Sequence, residues 1–376
     1  MSTARLFIST RKGLFTLERS GGAQPWRIAK TDFLGDPVNL FLCDPRDGAW
    51  YAALSLGHFG AKLRRSDDEG KTWTELAVPA FPTESTLPAH PMFPSESSRG
   101  RVRPAVMSEF WALETGTAAE PGMLWAGTIP GGLFRSADRG ASWTLIEALW
   151  NVPEREKWFG GGKDDPGIHS VCVDPRDAKH IAVAVSCGGV WHTWDGGATW
   201  TAHTQGMRAA YMPPELQSDP SAQDPHRMVQ CAGAPDAYWV QHHNGIFKTV
   251  DGCKQWEELT DVQPSTFGFA VAVHPRDPHR AWFVPGVKDE CRLPVDGRFV
   301  VTRTRDGGRT FESLTDGLPQ GPSYDLVFRH GLDIDATGDR LAMGSTTGGV
   351  WTSDDGGDHW TMLDARLPPV YAVRFG

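Results

Sequence analysis

Histidine and acidic residues recur at equivalent positions of a repeat that runs through this sequence of 376 residues. Alignment on a recurring Asp/His-Pro-Arg-Asp turn brings together Asn39, Glu109, His169 and Phe269 and, in two less regular segments, His226 and Asp325. Neutral imidazole and carboxylate form the ligand set of borderline divalent ions such as Zn, Mn, Fe or Ni. The same groups perform general acid/base catalysis. The repeat therefore predicts one site built from residues far apart in the chain.

Turns of the same repeat add further side chains that could bind a ligand or take part in catalysis, namely His58, Cys187 and the pair His242 and His243. From both sets, we predict that a divalent metal is bound by His58, His169, His226 and His243, with Glu109 as a ligand or general base. No short metal-binding motif supports this set, so the prediction depends on the repeat register alone. The alternative is a polar channel whose histidines bind water.

A metal-free site would use the same groups for acid/base chemistry on a glycoside or another small polar substrate. The predicted catalytic residues are Glu109, Asp325 and His169, with one carboxyl group protonated and the other ionised. The distance between the two carboxyl groups would then decide between inverting and retaining hydrolysis. The predicted substrate-binding residues are Arg11, His58, Trp111, Arg227, His242 and Tyr324.

An octet marks the elements that must position these residues, with Ser or Thr first, Asp third, Gly fifth and an aromatic residue last. Its six copies span 66–73, 136–143, 193–200, 249–256, 304–311 and 353–360, with Cys253 in place of Gly and Phe311 in place of Trp. The hydroxyl and carboxylate can accept backbone N–H groups, and Gly permits positive φ. Each octet therefore predicts a hairpin corner followed by an aromatic core anchor.

The octet resembles the Asp-box, or BNR repeat, of sialidases, sortilin-type receptors and bacterial sialidase-like proteins of the glycosyl hydrolase group. This resemblance implies a β-propeller and does not by itself imply a reaction. Sialidases have six blades, an FRIP motif and an Arg triad. This sequence lacks FRIP, and Arg11, Arg103 and Arg227, or Tyr324 with Asp325, fit the sialidase roles only loosely. We therefore do not expect sialidase activity.

The spacing of the octets predicts one four-stranded antiparallel blade for each copy. Asp138, Asp195, Asp251 and Asp306 follow one another at intervals of 57, 56 and 55 residues. Residues 4–31 form a blade without its first strand, and residues 369–375 form a lone strand. Pairing this C-terminal strand with the N-terminal blade closes a ring and removes exposed sheet edges. We predict an all-β, seven-bladed β-propeller that forms a single domain over residues 1–376.

Three longer segments, 79–104, 145–168 and 203–226, each follow an outer strand and are expected to surround one mouth of the central channel. This mouth is the predicted functional face. The main hypothesis is a hydrolase or lyase that acts there on a small polar molecule or carbohydrate. The alternative is a non-catalytic scaffold that binds a protein or peptide on the same face.

Composition restricts the partners and the compartment. A net charge of −9 and a pI of 5.8 disfavour binding to nucleic acid or an anionic membrane. The N-terminal residues lack a basic region followed by a long apolar run, which predicts a cytoplasmic protein. The six cysteines are scattered singly and are expected to be buried or free thiols.

Overall fold

The computed structural model describes residues 3–21, 24–88, 101–363 and 366–376. Within these ranges, seven antiparallel four-stranded sheets form the blades of a propeller, which confirms the predicted fold class. Helix in the described residues is limited to one short α-helix, α1 (Glu147–Trp150), and to 3₁₀ turns at Gly57–Phe59, Pro153–Lys157, Pro214–Leu216, Pro220–Ala222 and Val295–Gly297. In this described part of the chain, no helix is long and apolar enough to span a bilayer.

The strands follow one another in chain order, and each blade is named by the strands it contains. Blade 1 has β1 (Thr3–Thr10), β2 (Gly13–Ser20), β3 (Arg27–Asp32) and the C-terminal β30 (Val370–Phe375); blade 2 has β4 (Val38–Cys43), β5 (Trp50–Ser55), β6 (Ala61–Ser66) and β7 (Thr74–Leu76); β8 (Thr86–Leu87) and β9 (Arg103–Pro104) form a separate pair; blade 3 has β10 (Glu109–Thr115), β11 (Leu124–Ile129), β12 (Leu133–Ser136) and β13 (Thr144–Leu145). Blade 4 has β14 (Gly167–Val173), β15 (Ile181–Ser186), β16 (Gly189–Thr193) and β17 (Thr201–Ala202); blade 5 has β18 (Pro225–Gln230), β19 (Tyr238–His242), β20 (Gly245–Thr249) and β21 (Glu257–Leu259); blade 6 has β22 (Gly268–Val273), β23 (Ala281–Pro285), β24 (Val301–Thr304) and β25 (Glu312–Leu314); blade 7 has β26 (Leu332–Ile334), β27 (Leu341–Gly344), β28 (Val350–Ser353) and β29 (Thr361–Met362).

The ring closes where the two ends of the chain meet. Strand β30 pairs with β1, so that Leu6 lies opposite Phe375 and Ile8 lies opposite Val373. The innermost strands contact one another in the cyclic order β30, β4, β10, β14, β18, β22 and β26, and β26 contacts β30 again. Closure therefore brings residues from all seven blades to one central channel.

Each octet forms a turn that satisfies its own backbone. In the first copy, the Ser66 hydroxyl donates to Asp68 Oδ1 at 2.7 Å and accepts the Gly70 N–H at 2.7 Å. Asp68 Oδ1 also accepts the Thr72 N–H at 2.9 Å. Glu69 and Gly70 have φ of 59° and 76°, so the left-handed region is occupied at two consecutive positions. The fifth position needs this conformation even in the fourth copy, where Cys253 has a φ of 65°.

Apolar side chains fill the spaces between neighbouring blades. Between blades 6 and 7, Trp282, Phe299 and Trp351 are almost fully buried in one cluster. Blades 3 and 4 approach so closely that a Cβ on Gly127 would lie 2.3 Å from the carbonyl oxygen of Ile168. Close packing of this kind holds the innermost strands at fixed distances around the channel.

The three longer segments lie against one another or enter the channel wall. In the segment 79–104, β8 pairs with β9, while residues 89–100 lie outside the described residues. Arg103 at its end forms an ion pair with Asp165 of the second segment. Phe159 of the second segment and Tyr211 of the third line a cavity in the channel.

The octets predict an acid-sensitive fold. Hydrogen bonds from Ser142 and Ser136 lower the pKa of Asp138 to about 2, and Asp68 and Asp306 are lowered to about 2 by equivalent bonds from their own turns. These carboxylates stabilise the fold fully above the unfolded pKa of about 3.9, and this stabilisation is lost as the pH falls toward 2. We expect a Tm that falls steeply between about pH 4 and pH 2, measured by circular dichroism.

Replacement of one octet carboxylate identifies the source of this loss. Asp138→Asn should lower the Tm at pH 7 by about 1–3 °C and flatten its pH dependence below pH 4. Asp261→Asn is the control, because Asp261 is exposed and lies outside the octets. An equal flattening in both variants would contradict the prediction.

Candidate functional site

A β-bulge at the start of the innermost strand aims one side chain of most blades toward the channel. The pairing of β18 with β19 skips from Pro225 to Arg227 and leaves His226 without a cross-strand partner. A bulged residue makes no ladder pair, so its side chain can leave the sheet face. The register shifts at the same place in six blades, where the skipped residues are Asn39, Trp111, His169, His226, Phe269 with Ala270, and Tyr371.

Five of these bulges contribute to one cavity of about 350 Å³. This volume lies within the usual range for small-molecule sites. The cavity wall combines aromatic rings, charged groups and a glycine loop, residues 160–163. Its lining includes Asn39, Glu109, Trp111, Phe159, Gly160, Gly161, Gly162, Lys163, Cys187, Tyr211, Asp224, His226, His243, Phe269, Asp289, Arg292, Arg329, His330 and Tyr371.

Asp224, His226 and His243 form the cluster in this cavity that has the geometry of a metal site. Their three candidate ligand atoms all lie within 4.8 Å of one another. Asp224 Oδ2 lies 3.4 Å from His226 Nε2 and 3.4 Å from His243 Nδ1. Two imidazoles and one carboxylate suit a borderline divalent ion.

Surrounding hydrogen bonds orient these three groups. His226 Nδ1 lies 2.7 Å from the carbonyl oxygen of Gly268, to which it must donate, so the lone pair of its Nε2 faces Asp224. Asp224 Oδ1 accepts the Ser186 hydroxyl at 3.0 Å and the Cys187 N–H at 3.1 Å, which leaves Oδ2 toward the imidazoles. Bonds of this kind fix the tautomer and direction of metal ligands.

The protonation states follow from burial and from the Asp224 charge. Burial opposes ionisation of Asp224, but the imidazoles of His226 and His243 outweigh it and hold its pKa well below the usual value. Burial lowers the pKa of His226, although the Asp224 charge acts in the opposite direction. For the less buried His243, the hydrogen bond and charge of Asp224 outweigh burial and raise the pKa. Of the two imidazoles, His243 is thus the one whose protonated form Asp224 favours.

Glu109 lies in another part of the same cavity wall. Asn39 Nδ2 donates to its Oε1 at 2.5 Å, and Lys163 Nζ donates to its Oε2 at 2.8 Å. Lys163 comes from the glycine loop, so this ion pair attaches the loop to β10. Asn39 holds one oxygen in place, while the second is bound by a half-exposed lysine.

Two of the predicted metal ligands do not reach the cluster. His58 is exposed on the 3₁₀ turn Gly57–Phe59, where its ring stacks with Phe59. His169 is fully buried, and its Nδ1 and Nε2 bond to the Ser170 hydroxyl and the Pro225 carbonyl. His169 has no nitrogen left for a ligand, which also removes it as a catalytic base. The geometry replaces His58 and His169 by Asp224.

Other predicted residues serve the scaffold or lie away from the cavity. Arg227 is buried and donates to the His169 carbonyl at 2.9 Å. His242 is buried and accepts the Asp224 backbone N–H at 2.9 Å, so it positions the carboxylate without touching the cavity. Asp325 accepts hydroxyl groups of Ser323, Ser345 and Thr347, and neither it, the exposed Tyr324 nor the exposed Arg11 lines the cavity. Glu109, Trp111, His226 and His243 do line it, as predicted.

The register alignment missed residues for identifiable reasons. It equated Glu109 with His169, whereas the pairing of β10 with β11 skips Trp111 instead. Asp224 precedes its strand and was not aligned, although it stands two residues before a bulged histidine. Arg329 and His330 lie just before β26 of blade 7, where the alignment selected Asp325 instead. Arg292 and Lys163 lie in loops, which an alignment of strands does not place.

The chain is similar in sequence to two curated xyloglucanases. It is 25% identical over 386 residues to a probable oligoxyloglucan-reducing end-specific xyloglucanase of Neosartorya fischeri, covering 93% of this chain and 42% of the relative. It is 23% identical over 411 residues to a xyloglucanase of a Paenibacillus species, covering 94% of this chain and 34% of the relative. The chain thus spans less than half the length of these relatives. No protein-family model matches it.

The fold is similar to that of a solved carbohydrate-active enzyme. The GH74 xyloglucanase from Xanthomonas campestris superimposes with a TM-score of 0.63 at 20% identity, covering 97% of this chain and 53% of that one. At this identity the likeness defines the fold alone. The protein is therefore a seven-bladed β-propeller with a bulge-lined central cavity. Its named sequence relatives are xyloglucanases.

The arrangement predicts that Asp224 controls the titration of His243. In chelator-treated protein, Asp224→Asn should lower the pKa of His243, because the variant lacks the negative charge that favours the imidazolium. NMR titration of the histidine ring signals measures this change. The pKa of His359, which is raised by Asp355 on an octet of blade 7, should stay the same. An unchanged His243 would show that Asp224 does not hold its proton.

Proposed function

We propose that this propeller is a carbohydrate-acting hydrolase or lyase with a divalent metal site formed by Asp224, His226 and His243. The convergence of these three ligand atoms within 4.8 Å, in the wall of a ligand-sized cavity, carries the proposal. The named xyloglucanase relatives support a glycosyl hydrolase connection.

The donor set fits a metal because its members are oriented before binding. The lone pair of His226 Nε2 faces an ionised carboxylate, which is unfavourable unless a cation or proton lies between them. The carbonyl bond at Nδ1 prevents a simple exchange of tautomers without loss of that bond. A bound ion would replace the proton on His243 and supply Lewis acidity next to the substrate.

Glu109 is the proposed acid/base residue. It is half-buried, lies in the same cavity and has one oxygen fixed by Asn39. When a substrate displaces Lys163, the other oxygen becomes available to take a proton from, or give one to, a sugar oxygen. Trp111 lies two residues further along the same strand and offers apolar contact to a sugar ring.

The second hypothesis, a non-catalytic scaffold that binds a protein or peptide, is kept as an outcome of the tests. The cytoplasmic location and the absence of nucleic-acid and membrane partners stay predictions from sequence. The xyloglucan activity of the relatives belongs to proteins more than twice as long as this chain, so the particular polysaccharide is left to experiment.

Metal binding is the first test. Chelator-treated protein titrated with Zn²⁺, Mn²⁺, Fe²⁺ or Ni²⁺ in a calorimeter should bind one ion per chain. His226→Ala and Asp224→Asn should weaken binding by at least about 100-fold, because each lacks one of three ligands. His58→Ala should bind as the wild type does, because His58 is exposed and outside the cavity.

Circular dichroism establishes that each variant is folded before binding is compared. Equal ion binding by wild type and by both ligand variants would contradict the assigned site. No binding of any of the four ions by the wild type would contradict metal dependence. Metal-free acid/base catalysis by Glu109 would then be the remaining mechanism.

Activity is the second test, on a panel of neutral and acidic oligosaccharides with reducing-end and unsaturated-product readouts. Glu109→Gln should lower kcat by roughly 10²–10⁴-fold, because general acid/base catalysis contributes that range. Glu147→Gln is the matched control, because Glu147 is exposed on α1 away from the cavity. No turnover on the whole panel, together with capture of a peptide on this face, would favour the scaffold.

A further inference from the structure

Arg329 is a buried cation in the cavity wall without a carboxylate partner. Its side chain is 9% exposed, and its guanidinium carbon lies 4.6 Å from the ring centroid of Trp111 and 5.5 Å from that of Phe269. The two rings hold the guanidinium between them and repay part of its lost hydration. Its Nε is buried and has no hydrogen-bond partner.

Each of the other buried arginines has at least one hydrogen-bond partner for its guanidinium, although Nε of Arg19 and of Arg303 is unpartnered as well. Four arginines in the described part of the chain are less than 10% exposed. Arg303 pairs with Glu312 and Asp358, and Arg19 pairs with Asp354. Arg227 donates to a carbonyl and a hydroxyl group. Among the four, Arg329 alone forms neither a hydrogen bond nor an ion pair with a described residue.

The remaining charges of the cavity already have partners. Lys163 lies 2.8 Å from Glu109, and Arg292 lies 2.6 Å from Asp289. Asp224 pairs with the two imidazoles. Among the lysine and arginine side chains that line the cavity, Arg329 alone therefore lacks a carboxylate partner. A buried charge is costly unless it is paired, so a ligand that brings one negative charge gains what the protein itself does not supply.

We propose that Arg329 binds a carboxylate of the substrate, so that the cavity takes an acidic carbohydrate such as a hexuronate. This inference rests on the proposed function for the carbohydrate nature of the ligand. The planar guanidinium matches a carboxylate with two parallel hydrogen bonds. A carboxylate brings the one negative charge that the unpaired guanidinium lacks.

Binding of small sugars separates this proposal from a neutral-sugar site. Calorimetry with glucuronate and glucose should give glucuronate an affinity roughly 10- to 100-fold higher, which is the range for a hydrogen bond to a charged group. Arg329→Met should abolish this preference. Arg292→Met should retain it, because Arg292 already pairs with Asp289.

Thermal stability distinguishes a ligand-binding arginine from a structural one. Arg329→Met, without ligand, should have a Tm equal to or above that of the wild type, because it removes an unpaired buried charge and keeps the apolar contact with the two rings. Arg227→Met should lower the Tm, because it leaves a buried carbonyl without its donor. A fall in Tm for Arg329→Met as large as that for Arg227→Met would assign Arg329 to the scaffold.

Each result counts separately against this inference and against the proposed function. Equal affinity for glucose and glucuronate, or tighter binding of inorganic phosphate than of glucuronate, overturns the carboxylate site. Preferential glucuronate binding that depends on Arg329 supports it, even when no oligosaccharide of the activity panel is cleaved. In that case the catalytic proposal fails and the acidic-sugar site remains.

Discussion

Antiparallel pairing of β30 with β1 is the constraint on which the site depends. It fills the inner edge of blade 1 with the last strand of the chain and completes the cycle of innermost strands. Residues separated by more than 300 positions thereby share one cavity, as Asn39 and Tyr371 do. Without closure, blades 1 and 7 would each present an unpaired or uncovered sheet, and the cavity would lose one side.

The positions of the strands around the cavity and the chemical groups in its wall depend on different parts of the structure. Octet turns at the blade corners and apolar clusters between blades set the positions of the strands, whereas bulges and loops supply the chemical groups. Burial by the second and third long segments then strengthens the electrostatic interactions among those groups. The pKa of the fully buried His226 falls because burial outweighs the Asp224 charge, whereas that of the less buried His243 rises.

The sequence predicted the fold because the octet specifies a turn locally, through bonds among neighbouring residues such as Ser66, Asp68 and Gly70. It predicted part of the site where strand register follows the repeat, as for His226. The prediction of site residues was wrong where bulges and hydrogen bonds, which the repeat does not encode, decide the direction of a side chain. The alignment selected Glu109, but the bulge of β10 lies two residues later, at Trp111. His169 is a core residue because both of its ring nitrogens are hydrogen-bonded. The partner of His226, Asp224, belongs to a loop that carries no repeat.

The bulged position in each innermost strand also bears on how such a site can change over evolution. Because the skipped residue makes no cross-strand pair, its replacement leaves the hydrogen-bond ladder on both sides in place. Five blades thus each place one interchangeable side chain in the wall of a common cavity, and their combination shapes that cavity. New specificities can therefore arise by single substitutions at these bulged positions while the scaffold keeps its stability.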